Sequence, residues 1–156
     1  MQRMSRQLFF DLLLVVTCAY ALCRGGSVER LISATLLSGD LLTIWAASEF
    51  QDRFRHLERG IFLVDLAILI VLTAIAMRST RWWPLLLAGL QLDAVVVHTI
   101  RFAAPATVPE AYMDAIALWA YPMQIALAVG AWRHRRRIAR DGSDPAWIGR
   151  TGWAGS

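Results

Sequence analysis

Apolar residues along this chain gather in five long runs, 8–22, 31–50, 61–77, 84–102 and 111–132, and the charges gather in short clusters between them. A soluble helix would show a narrower apolar stripe recurring every three or four residues. Unbroken runs of this kind suit helices that cross a bilayer, whose hydrocarbon core of about 30 Å takes roughly 20 residues at 1.5 Å each. The pattern therefore predicts an all-α, polytopic membrane protein. Residues 1–140 form one bundle of five transmembrane helices, and residues 141–156 form a loose, Gly-containing cytoplasmic tail. The first run is short for a full span. It also has the A-x-A of a signal peptide at Ala19-Tyr20-Ala21, but Asp11 interrupts the apolar stretch, and cleavage would spoil the topology argued below.

Local signals refine the helices. The fourth run opens on Trp82-Trp83-Pro84, with the proline in a first turn and the tryptophans at a membrane interface. Glu49 with Arg53, and Asp52 with His56, stand four apart and favour a helix that continues past the membrane edge. Pro122, inside the fifth run, frees the Leu118 carbonyl and predicts a kink. Gly39, and the pair Ala126 and Gly130, lack the bulk that keeps helices apart, so they mark close helix contacts.

Composition agrees with the membrane reading: of 156 residues, 57% are hydrophobic and 18% charged, where a soluble domain carries about a quarter charged. All sixteen basic residues are arginine. Without lysine there is no Schiff-base chemistry of the retinal or pyridoxal kind. The net charge of +4 follows from arginines at the cytoplasmic edge, so nucleic acid is not an expected partner. With five spans the termini lie on opposite sides. Placing the tail inside puts ten arginines there (Arg24, Arg30, Arg78, Arg81 and six in the tail) against six outside, which favours N-out, C-in. Arg133, Arg135, Arg136 and Arg137 then anchor the fifth helix to anionic lipid heads. Cys18 and Cys23, five apart, share no helix face and have no metal spacing. They read as small packing residues.

Chemistry rests on one aspartate per span. Measured from the outer ends of the runs, Asp11, Asp65, Asp114 and His98 form an outer layer, and Asp40 and Asp93 lie near the midplane. In the outer layer, the three carboxylates oppose the positive ends of their helices, or with His98 they converge on a proton path or a divalent metal. At the midplane, an ionised aspartate costs about 2.5–3.5 kcal/mol on insertion scales, so Asp40 and Asp93 should face the bundle interior. Gln91 and His98, seven apart, share a face from which Asp93 points away. Gln91 and Gln124 are the expected polar contacts between helices. No cofactor is expected: there is one intramembrane histidine, and there is no GxSxG, P-loop or dinucleotide fingerprint.

On sequence alone the leading expectation is a non-catalytic accessory or scaffold subunit of a membrane assembly. Its location is a bacterial inner (plasma) membrane, and its partners are the lipid bilayer and either a second membrane protein or further copies of itself. The alternatives are a proton- or cation-coupled carrier or channel built on Asp40, Asp93, Asp65, Asp114, Asp11 and His98, and an outer-face enzyme using Asp65, Asp114 and His98.

Overall fold

A computed structural model describes the backbone of residues 2–49, 54–103 and 110–148 and the side chains of 8–45, 60–100 and 120–148. It is all-helical, with five helices and no strand among the described residues. In order they are α1 (Gln2–Arg24), α2 (Ser27–Glu49), α3 (Phe54–Arg78), α4 (Trp83–Ala103) and α5 (Glu110–Asp141). Each helix touches its chain neighbours, α5 closes the ring against α1, and α2 and α5 also meet across it. Two helices hold segments long and apolar enough to cross a membrane, Gly60–Arg78 and Trp83–Ile100.

One end of the bundle is stitched tightly. α1 passes to α2 through Gly25-Gly26 alone. The Gly25 N–H donates to the Ala21 carbonyl at 2.8 Å, and a Cβ on Gly25 would fall 2.4 Å from that same oxygen, so only glycine fits. Glu29 reaches back to the Gly26 N–H at 3.0 Å, the carboxylate half of a capping box that satisfies an otherwise orphaned donor at the start of α2. At the same end, α3 passes to α4 through residues 79–82, and the chain beyond α5 folds back onto this loop. The Ile148 N–H donates to the Arg78 carbonyl at 2.9 Å and the Thr80 N–H to the Ala146 carbonyl at 3.1 Å. Trp147 also donates from its indole to the Ser27 hydroxyl at 2.6 Å. Residues 143–148 are thus a strap across the loop, where the sequence suggested a loose tail; residues 149–156 lie outside the described ones.

Inside the ring, Leu14, Cys18, Val28, Ile32, Leu72, Leu87 and Leu127 are buried together. Small residues set the helix spacing. A Cβ on Gly39 of α2 would overlap Ile68 of α3, and one on Gly130 of α5 would lie 2.8 Å from the Trp83 ring of α4. Trp83 is therefore a packing residue, buried at 8% exposure, while its neighbour Trp82 is exposed. The hydroxyls of Ser33, Thr35 and Thr99 donate to carbonyls four residues earlier, which leaves those side chains satisfied without water. α5 runs through Pro122 as one helix, and the Phe10 and Tyr121 rings meet edge to face at 5.6 Å where α1 crosses it. Outward, Leu8, Leu12, Leu41, Leu63, Ile70 and Ile125 are more than 60% exposed.

The Gly130–Trp83 contact is open to test. Gly130→Ala pushes a methyl into a buried, rigid indole, and should cost about 1–3 kcal/mol, read as a lower midpoint of thermal unfolding in detergent. An unchanged midpoint would mean that α4 and α5 are not held this closely.

Candidate functional site

Helix register places the polar residues. Asp11 stands 13 residues before Arg24, Asp40 13 after Ser27, and Asp65 13 before Arg78. These helix ends all lie at the stitched end, so the three aspartates share one level, about 20 Å along the bundle at 1.5 Å per residue. The two layers expected from the apolar runs therefore merge as far as Asp40 is concerned. Depth counted from the outer ends misleads because the runs are unequal there, whereas the short loops at the other end hold the helices in step.

At this level the bundle forms a half-open cavity of about 180 Å³ to which all five helices contribute. Its polar wall is Asp40 and Thr43 of α2, Asp65 of α3, Gln91 of α4 and Gln124 of α5. Asp65 is already engaged. The Gln91 amide donates to its Oδ1 at 3.0 Å and to its backbone carbonyl at 3.2 Å, and His98 Nε2 lies 3.2 Å from Oδ2. The shared face of Gln91 and His98 is thus the face that α4 presents to Asp65, and Gln91 does bridge two helices. Gln124 does not. It is 2% exposed, and neither its amide nitrogen nor its oxygen has a hydrogen-bond partner among the described residues. Burying an amide in this way is costly, about 1–3 kcal/mol by protein mutational scales.

The remaining candidates fall elsewhere. Asp11 lies within electrostatic reach of Asp40 but is not on the cavity wall. Asp93 is half-buried on α4, also off the wall. The side chain of Asp114 lies outside the described residues, as do those of the 49–56 pairs, so the Asp65–Asp114–His98 triad is represented by its Asp65–His98 half. Among the described residues, no three His, Cys, Asp or Glu side chains are grouped to hold a metal ion. Cys18 is buried and Cys23 exposed, both as free thiols.

A second cluster, at the stitched end, has no counterpart in the sequence reading. Arg81, 8% exposed, pairs with Glu29, which is fully buried. Its other nitrogen lies 2.5 Å from Asp144 of the strap. Asp144 also receives His134 Nδ1 at 2.7 Å and Arg137 Nε at 2.8 Å. Burial pushes the Asp144 carboxyl up, but the bonds from His134 and Arg137 and the charge of Arg81 outweigh it and hold the group below the usual carboxylate range. Arg137, expected among the lipid anchors, is therefore half-buried on Asp144, whereas Arg133, Arg135 and Arg136 are exposed, Arg136 stacked 4.3 Å over Trp132. The cluster was illegible because Glu29, Arg81, His134 and Asp144 read singly as flanking charges; only the glutamate three residues into a Gly-started helix gave a capping signal.

No family model matches the chain, and no curated protein or solved structure matches it. The geometry has to speak for itself.

The strap has a pH signature. Because the Asp144 carboxyl is held low in the folded protein, its ionised form stabilises the strap throughout the neutral range, and that contribution fades as pH falls through its lowered value. Asp144→Asn should loosen residues 143–148 at pH 7, seen as faster proteolysis after α5, and should flatten the acid limb of the unfolding midpoint. Equal proteolysis in both forms would show that the ion cluster does not hold the strap.

Proposed function

We propose that this chain is a five-span integral protein of a bacterial inner membrane, N-out and C-in, acting as a carrier or channel coupled to a proton or cation, with the central cavity as its cation site. The outer surface supports the membrane part. Only 17% of the Gly60–Arg78 segment and 33% of Trp83–Ile100 is buried within the chain, whereas the core helix of a soluble protein is mostly covered. The exposed leucines and isoleucines of α1, α2, α3 and α5 would aggregate in water and are at home in lipid. The remaining spans are inferred from that shared apolar exterior and from helices of 23 residues or more in α1, α2 and α5.

The observation that carries the functional reading is the meeting of Asp40 and Asp65 on one half-open cavity to which all five helices contribute. Intramembrane carboxylates are expensive and mark ion or proton paths when they line a cavity. Here one carboxylate, Asp65, is bonded by Gln91 and faces an imidazole that can give or take a proton. The other, Asp40, lines the same cavity three residues before Thr43. A scaffold held together by its aspartates would tie both of them to neighbouring helices.

The test is charge movement in liposomes. With purified protein reconstituted and an inside-negative potential imposed, entry of protons or sodium should exceed that of protein-free vesicles. Asp40→Asn should slow it by about tenfold or more, and Asp93→Asn, off the cavity wall, should leave it near wild type. Flux no faster than in empty vesicles, or equal flux in wild type and Asp40→Asn, would sink the carrier reading and return the chain to an accessory role.

A further inference from the structure

At the stitched end, Asp144 is met on both carboxylate oxygens by basic groups from two other parts of the chain. Arg81 Nη2 of the α3–α4 loop lies 2.5 Å from Oδ2, and His134 Nδ1 of α5 lies 2.7 Å from the same oxygen. Arg137 Nε donates to Oδ1 at 2.8 Å. The Arg81 and Asp144 side chains are only 6% and 8% exposed. Two guanidiniums and an imidazole around one anion form the donor set that suits a phosphate. Charge is balanced here, with Arg81 and Arg137 set against Glu29 and Asp144. Without Asp144 the cluster keeps one uncompensated positive charge away from water, which is costly. Whatever moves the strap must therefore bring an anion of its own.

The strap is built to come away. α5 ends without its help, since the Gly142 N–H donates to the Ile138 carbonyl at 3.0 Å. Gly142 has φ 72°, the left-handed turn that closes helices, and a Cβ there would meet nothing within 4 Å. Beyond this pivot only Ala146 of the strap is buried. The strap's neutral bonds, to Arg78, Thr80 and Ser27, are ones that water can replace. Water cannot replace the carboxylate. We propose that Arg81, Arg137 and His134 form a binding site for a phosphomonoester, with Asp144 as its built-in occupant, so that ligand and strap exclude each other. A phosphomonoester brings two negative charges and three free oxygens where Asp144 brings one charge and two oxygens. The exposed Arg133, Arg135 and Arg136 on the same helix end raise the local concentration of anions. The phosphate of a soluble metabolite and that of a lipid headgroup present the same chemistry to the site.

Calorimetry and hydrogen exchange test this on the whole chain in phosphatidylcholine nanodiscs, where both faces are open. At about pH 7.5, where a phosphomonoester is mostly dianionic, the protein is titrated with glycerol 3-phosphate, and with acetate and chloride as controls. Saturable binding is expected for glycerol 3-phosphate alone, with faster exchange in residues 143–148 as the ligand takes the place of Asp144. Asp144→Asn should tighten binding by about tenfold or more, because the internal competitor is gone; a residue that only supports the fold would weaken it. Trp147→Ala loosens the strap and leaves every charge in place, and should tighten binding too, so a folding defect in one variant does not decide the matter. Arg137→Gln should weaken binding by about tenfold. Each variant's unfolding midpoint is measured beside it. The lipid arm, which alone rests on the membrane placement proposed above, replaces the soluble ligand with phosphatidic acid or phosphatidylglycerol at equal molar fraction. Strap release by phosphatidic acid and not by phosphatidylglycerol assigns the lipid headgroup as a ligand; binding of glycerol 3-phosphate without release by phosphatidic acid assigns a soluble one. Equal release by the two lipids, or binding of glycerol 3-phosphate that is unchanged in Asp144→Asn, would overturn the proposal. So would the absence of any response to both glycerol 3-phosphate and phosphatidic acid.

Discussion

Arg81 crosses the end of the bundle to reach Glu29 on α2 and Asp144 on the strap, and three parts of the chain that are distant in sequence are held by that one guanidinium. Both partners are nearly excluded from solvent, and removing one side of such a pair costs about 3–5 kcal/mol, because the other is left buried and unpaired. Glu29 is also the cap of α2, so the same carboxylate fixes where that helix starts and where the α3–α4 loop sits. Everything deeper in the bundle inherits its register from this end. The aspartates of α1, α2 and α3 share a level because their helices are counted from a common starting line.

Polar groups away from water are paired unevenly along the bundle. At the stitched end most polar groups are matched, acid to base, indole to hydroxyl and backbone to backbone, while Arg81 Nε and Trp83 Nε1 are buried there without a partner among the described residues. At the cavity level the matching stops after Asp65. Gln124 keeps two unpaired atoms in the interior, and Asp40 has no basic group opposite it on the wall. Natural interiors rarely leave such groups unsatisfied, and where they do a ligand, a water or a functional role usually accounts for it.

The sequence carried the architecture further than the site. Five apolar runs became five helices because run length and flanking charge are local properties, and the small residues at Gly39 and Gly130 became close contacts for the same reason. The pairing of Asp65 with Gln91 and His98 was half visible, since seven-residue spacing fixes a shared face while leaving the partner helix open. What could not be read was anything that depends on how helices slide past one another. Run ends place Asp40 and Asp65 at different depths because apolar runs end at different distances from their helix termini: α2 begins four residues before its run. The Arg81 cluster joins residues 52 and 63 positions apart, and no spacing rule operates over such separations.

The strap makes the bundle mechanically lopsided. Two short loops, an ion cluster and a returning segment bind all five helices at one extremity, so the molecule resembles tongs gripped at the handle. A helix tilting by about 10° around that grip barely moves its near end, yet at about 20 Å it carries a side chain roughly 3.5 Å sideways. That exceeds the width of a water molecule, about 2.8 Å. The level at which Asp40 and Asp65 face the cavity is therefore also the level at which a small rocking of one helix is enough to open or close a path, while the gripped end stays shut.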